Sequence, residues 1–262
     1  MLDEPILKVV DLKKSFGGIM ALAGVDFQVS QDKIKSIIGP NGAGKTTIFN
    51  LISGLLPPSS GKILFENKNI VGRAPSQICL LGIARTFQNI ILFKHMTVLE
   101  NVMVGRYSRE HYSVISSVFK GSAYQLGEKA ISEKAMELLN LVGLEKRAPE
   151  LSQNLPLGEQ KLLGIARALA TEPKLILLDE PAAGLNTAEL DKIITLIQKI
   201  RNKGIAVLLV EHNMKVVMEV SDEIIVINFG RPIASGTPET IKTDDKVIQA
   251  YLGKEVSFAR GR

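Results

Sequence analysis

Gly39-Pro40-Asn41-Gly42-Ala43-Gly44-Lys45-Thr46 satisfies the spacing G-x-x-x-x-G-K-[ST], and the rest of the chain reads outward from it. The pattern describes a phosphate cradle. Its glycines let the loop close so that successive backbone N–H groups point inward at α- and β-phosphate oxygens. Lys45 then sets a positive charge over the β- and γ-oxygens, the Thr46 hydroxyl can ligate Mg²⁺, and Thr47 stands beside it in the expected binding set. Upstream, Lys33-Ile34-Lys35-Ser36-Ile37-Ile38 reads as a short strand entering the loop. Downstream, Ile48, Leu51, Ile52 and Leu55 fall at i, i+3, i+4 and i+7. That spacing predicts a helix with its positive dipole end at the phosphates, stopped by Pro57-Pro58. Strand, loop and helix in this order predict a nucleoside triphosphate site.

Composition narrows the remaining classes. A chain of 262 residues can bury a full core, as one large domain or a core with a subdomain. Its 45% hydrophobic and 23% charged residues suit a globular protein in water. No apolar run approaches the ~18 residues of a membrane span, and Met1-Leu2-Asp3-Glu4-Pro5 lacks a signal-peptide pattern. The chain is therefore expected in the cytosol unless a partner holds it at a membrane. The one cysteine, Cys79, excludes an intrachain disulfide, and its apolar surroundings predict a buried core position. No Cys/His cluster suggests zinc. The net charge of +5 comes from Lys and Arg spread along the chain, a solvated surface with no nucleic-acid stripe.

Strand signals open the chain at 6–10 and 25–29, with Lys14-Ser15-Phe16-Gly17-Gly18 as a turn presenting an aromatic. Gly61–Glu66 and Asn69-Ile70 flank an expected hairpin turn at Asn67-Lys68. Residues 95–160 lose the strand signal and carry helical spacing at Val98, Val102, Ala135, Leu138, Leu139, Leu141 and Val142. Strand patterns return at 175–178, 206–210 and 223–227, the first two as continuous apolar runs of the kind found in parallel strands buried on both faces. A helix over 187–203 separates those two runs. The pattern predicts an α/β core with a helical insertion.

The run Leu175–Leu178 leads straight into Asp179-Glu180-Pro181, so two carboxylates stand at the carboxyl end of a core strand, where α/β sheets place ligands. Asp179 is the candidate Mg²⁺ ligand. Glu180, one residue on and turned to the other side, is the candidate base for a water attacking the γ-phosphate.

These motifs recur in order with Ala84-Arg85-Thr86-Phe87-Gln88-Asn89 and with Glu211-His212 after a strand. Over about residues 6–252 the chain resembles the ATP-binding cassette of ABC transporters. The resemblance implies a P-loop NTPase core of mainly parallel sheet with an antiparallel β subdomain over 1–91 and 161–253. It implies an inserted helical subdomain over 92–160 and a tail over 254–262. It implies ATP and Mg²⁺ as ligands, with Gln88 touching the metal and the attacking water, His212 contacting the γ-phosphate and Phe16 stacking on adenine. The family's signature loop corresponds to Leu155-Pro156-Leu157-Gly158-Glu159. In the family this loop covers the ATP of a second cassette chain in a head-to-tail dimer.

Here the loop departs from Leu-Ser-Gly-Gly-Gln. Pro156 removes a hydroxyl and an N–H, Glu159 replaces a neutral amide, and Asn186 stands where many members have Asp. The segments 82–88, 181–186, 105–130, 230–238 and 247–253 resemble ATP subunits of branched-chain amino-acid importers. ATP subunits for lipopolysaccharide, urea or amide transport share much of this pattern. The resemblance therefore implies two membrane-spanning permease subunits, a groove for them near Gln88–Met96, and indirectly an extracytoplasmic substrate-binding protein. It implies a position on the inner face of the cell membrane and no nucleic-acid partner. A soluble nucleic-acid cassette would be expected to carry two cassettes, long coiled coils or zinc cysteines, and a cassette without turnover would lack residues present here.

Overall fold

The computed structural model of the protein describes residues 4–109 and 122–251. The tail expected at 254–262 and the middle of the segment 105–130 lie outside the described residues. In chain order the structure runs β1 (Leu7–Phe16), β2 (Ile19–Val29), β3 (Ile34–Ile38), α1 (Lys45–Ile52), β4 (Ser60–Phe65), β5 (Lys68–Asn69), α2 (Pro75–Leu81) and β6 (Ile83–Arg85). It continues with α3 (Val98–Tyr107), α4 (Ser122–Val142), α5 (Leu157–Leu169), β7 (Leu175–Asp179), α6 (Thr187–Asn202), β8 (Ala206–Val210), α7 (Met214–Val220), β9 (Glu223–Asn228), β10 (Arg231–Gly236) and α8 (Pro238–Lys242).

Two sheets result. The larger has the order β10-β9-β3-β8-β7-β6 and is parallel except for the antiparallel β9–β10 pair. The smaller is the antiparallel set β2-β1-β4-β5. Why the parallel strands read as unbroken apolar runs is visible in their two faces. Ile176 and Leu178 of β7 and Val207 and Leu209 of β8 join a core that includes α3, α4, α5 and α6. Their neighbours Leu175, Leu177, Leu208 and Val210 join a second core with α1 and the antiparallel sheet. Period two thus feeds two cores, and each position needs an apolar side chain. A third, smaller cluster closes β3 and β9 with Ile38, Val217, Ile224, Val226, Ile241 and Val247.

The inserted helices start at a capping box. The Thr97 hydroxyl accepts from Glu100 N at 3.1 Å, and the Glu100 carboxylate accepts from Thr97 N at 2.7 Å. Fully buried Asn101 then ties Phe93 to this turn, accepting from its N–H at 3.0 Å and donating to its carbonyl at 3.1 Å.

Three local expectations are corrected. The hairpin turn lies at Glu66-Asn67, one residue earlier than expected, because both take positive φ (47° and 61°) and so supply the turn that suits twisted strands. Helix α1 stops at Ile52, before Leu55 and Pro57. Gly54 turns the chain with φ +73° and the Asn50 carbonyl accepts from both Leu55 and Leu56. Cys79 is half-buried, because α2 lies at the border of the fold and buries only Ile78 fully.

Candidate functional site

β3 delivers the chain to Gly39, and α1 begins at Lys45. Between them the backbone takes φ of +152° at Gly39, +80° at Gly42 and +106° at Gly44. A side chain at Gly39 would run into the Ile227 carbonyl oxygen, and a Cβ on Gly44 would lie 2.6 Å from Leu22 Cδ2. Glycine is therefore required by crowding as well as by φ. Lys45 is buried, and its ammonium donates to the carbonyls of Gly39 (2.7 Å) and Pro40 (3.0 Å), which holds the loop closed around it. A cleft of about 670 Å³ opens at this helix start, lined by Ala21, Asn41, Gly42, Ala43, Gly44, Lys45, Thr46, Thr47, Gln88, Glu180 and His212. Backbone N–H groups of a helix start and a lysine in one cleft suit a polyphosphate.

Glu180 forms the opposite wall. Gln88 Nε2 donates to its Oε2 at 2.8 Å, and His212 Nε2 lies 2.9 Å from its Oε1. Two residues from separate segments therefore meet on this one carboxylate. Its main chain is held as well, with Glu180 N donating to the Val210 carbonyl at 2.8 Å and Lys161 Nζ donating to the Glu180 carbonyl at 2.9 Å. Glu180 has φ +48°, a left-handed conformation that costs a non-glycine residue about 1–2 kcal/mol. Strain of this kind is found where a side chain must be aimed.

Asp179 is buried at the end of β7, and Arg85 donates to its Oδ2 at 2.9 Å. Burial pushes its carboxyl above the usual carboxylate range, against the pull of Arg85. Arg85 also donates to Asn50 Oδ1 (2.8 Å) and Ser53 Oγ (2.9 Å), and it lies over the rings of Phe49 and Phe87. Phe16 ends β1, exposed beside the Lys14 ammonium, and does not line the cleft.

The signature segment sits elsewhere on the chain. Leu155 is buried, and Pro156 precedes the first turn of α5, in which Leu157, Gly158 and Glu159 follow. Glu159 pairs with Arg147 at 3.3 Å. Asn186 caps α6, its Oδ1 accepting from Glu189 N at 3.1 Å while the Glu189 carboxylate accepts from Asn186 N at 2.9 Å.

A second concavity of about 510 Å³ lies between α2, β6, α3 and α5, with Phe87, Ile90, Ile91 and Phe93 among its apolar lining. Ile91 is 69% exposed, so the run Ile90–Phe93 is surface as well as packing. Gln88 and Glu180 line this groove as well as the cleft.

Sequence reading gave no role to Lys161, Arg85 or Glu211, although the last two stand within quoted motifs. Glu211 is buried, with its carboxylate accepting from Ala182 N (2.6 Å), His212 N (2.9 Å) and Asn213 N (3.1 Å), and so braces both loops beside the cleft. An acid directly after the apolar run of β8 was the available signal. For Lys161 the signal was its position on the helix face shared with Gly158 and Ile165.

Residues 22–183 match the family described as ABC transporter, and residues 231–257 match the family described as Branched-chain amino acid ATP-binding cassette transporter. The chain is 43% identical to the high-affinity branched-chain amino acid transport ATP-binding protein BraF of Pseudomonas aeruginosa, covering 97% of this chain and 100% of BraF. It is 40% identical to LivG of Escherichia coli K12, a protein of the same description, with the same coverage. Among solved structures, a nucleotide-free ATP-binding cassette from an ABC transporter superposes with TM-score 0.83 at 34% identity, covering 95% of this chain and 99% of that one. A dimeric post-hydrolysis cassette bound to ADP and Pi gives TM-score 0.75 at 27% identity, covering 88% and 98%.

Proposed function

The chain belongs to the ABC transporter family of ATP-binding proteins, and from that membership we propose that it hydrolyses ATP to power a membrane importer of branched-chain amino acids. The match over 231–257 and the descriptions of BraF and LivG support the substrate class. The observation that carries the enzymatic reading is the Glu180 carboxylate, gripped by Gln88 and His212 on the wall facing the phosphate loop. ATP lies with its phosphates on backbone N–H groups of residues 41–47 and under Lys45, and its adenine reaches beyond the cleft lining to exposed Phe16. Glu180 takes a proton from water as that water attacks the γ-phosphorus, and ADP departs. His212 contacts the γ-phosphate, and Gln88 orients the water.

Thr46 and Gln88 line the cleft and Asp179, paired with Arg85 at 2.9 Å, does not; all three offer the hard oxygen donors Mg²⁺ takes, and these three residues would hold it. When bound, the ion neutralises charge on the β- and γ-phosphates.

A second cassette chain presents its own signature loop, equivalent to Leu155–Glu159, to this ATP. The dimeric ADP-bound relative in structure supports that arrangement. The groove lined by Ile91 and Phe93 receives one of two permease subunits, and through Gln88 the groove shares a wall with the ATP cleft. Among the described residues no helix is long and apolar enough to cross a membrane; these partners hold the chain at the inner face. An extracytoplasmic substrate-binding protein acts on the far side of the permeases. The helical subdomain 92–160 passes closure between cleft and groove.

The test is purification of tagged Glu180→Gln from its native cells with ATP and Mg²⁺. The expected result is retained ATP binding, no turnover, and co-purification of two multi-span proteins with a second cassette chain. Normal hydrolysis by the variant would remove Glu180 as the base, and recovery of soluble proteins alone would remove the transport reading.

A further inference from the structure

Lys161 is a lysine out of place. Only 8% of its surface is exposed, yet no ion pair with a carboxylate accompanies it among the described residues. Its ammonium donates instead to the main-chain carbonyl of Glu180 at 2.9 Å. Burial holds the amine below its ordinary range, while the charges of Glu211 and Glu180 pull the other way. A buried cation is kept at such expense where it has a task.

The geometry around it indicates the task. Lys161 is one turn past Leu157, on the first turns of α5, and these turns rest against the loop that follows Glu180. A Cβ on Gly158 would collide with the Glu189 carboxylate, and one on Gly184 would lie 3.4 Å from Leu157 Cδ2. Glu180 itself is held in a left-handed conformation (φ +48°), with its N–H fixed to Val210 and its carbonyl fixed by Lys161. We propose that Lys161 is a positioning residue that aims the Glu180 carboxylate and ties it to the helix headed by the signature loop. A displacement of α5 when its N-terminus meets the neighbour's phosphate then reaches the main chain of this site's own base through the Lys161 side chain. The inference rests on the reading of Glu180 as the base.

The experiment uses the intact transporter complex carrying Lys161→Met, Lys161→Arg or Lys161→Gln, with Glu180→Gln as control. Lys161→Met is expected to lower kcat about tenfold or more while the ATP KM stays within about twofold. Lys161→Arg, which keeps a long cationic donor, is expected to recover most of kcat. Lys161→Gln keeps a polar end but is too short, and its kcat falls with ATP affinity unchanged, which decides the matter should the Met variant not fold. Wild-type kcat in both Met and Gln variants overturns the proposal, and so does loss of ATP affinity in proportion to rate. If Glu180→Gln itself turns over ATP normally, the assignment of Glu180 is what fails.

Discussion

Arg85→Met tests how the floor of the site is held. Arg85 and Asp179 are a closed ion pair at 2.9 Å, with 6% and 4% of their side chains exposed. Removing one partner of such a pair leaves an uncompensated buried charge, a cost of about 3–5 kcal/mol. Methionine keeps the volume between Phe49 and Phe87, so cavity formation adds little. At ~2–4 °C per kcal/mol for a chain of this size, the melting temperature should fall by about 6–20 °C. The pH dependence has a definite sign. Burial already raises the Asp179 carboxyl, and Arg85 opposes that rise, so its removal raises the folded-state value further. An acid whose folded-state value exceeds its unfolded one loses stability as it ionises, starting near the unfolded value of about 3.9. The deficit of Arg85→Met should therefore be larger at about pH 8 than at about pH 5. The assay is urea unfolding of Arg85→Met, Asp179→Leu and the double variant Arg85→Met/Asp179→Leu at both pH values. Replacing the whole pair with apolar groups should recover about 2 kcal/mol or more of the single variant's loss. A loss under about 1 kcal/mol in Arg85→Met, or a double variant as unstable as the two singles summed, would refute the reasoning.

Two further outcomes are expected. Gly39→Ala, whose Cβ meets the Ile227 carbonyl, should lose ATP binding and lower the melting temperature, whereas Gly42→Ala, with open space around its Cβ, should cost only the ~1–2 kcal/mol of its positive φ; equal thermal shifts would contradict this. Ile91→Asp should abolish co-purification of the permease subunits while the isolated chain keeps its ATP affinity, and an intact complex would show that the groove is not where they dock.

What was legible in the sequence was whatever depends on regular spacing. The phosphate loop, the strands β3, β7 and β8, and the acids after β7 announce themselves because each obeys a periodicity or a fixed motif. Less visible was anything decided by three-dimensional company. Lys161 and Arg85 read as ordinary cations, since burial of a charge depends on partners far along the chain, as with Arg85 and Asp179, 94 residues apart. β6 has three residues, too few for any period, and exists because it adds to the edge of β7. Cys79 sits among apolar neighbours, yet its helix buries one narrow stripe, so local hydrophobicity overstated its depth.

The departures in the signature segment are the place where sequence alone misleads about consequence. Pro156 lacks an N–H, but it stands at the residue before α5, where its fixed φ suits a helix start; the N–H groups of Leu157, Gly158 and Glu159 begin the helix and are the ones without intrahelical acceptors. Three backbone donors at this helix start therefore survive the substitution. Glu159 pairs with Arg147 at 3.3 Å, but Arg147 also pairs with Glu150 at 2.9 Å, so one cation faces two carboxylates and the helix start keeps a negative charge beside it. Asn186, uncharged where many members have Asp, performs the capping of α6 with its amide oxygen, a task that needs an acceptor and not a charge. The departures remove two donors at Pro156 and add charge at Glu159, while both helix starts keep their own N-terminal hydrogen-bonding groups. The loop thus retains helix-start donors for the role proposed for it, with negative charge added beside them.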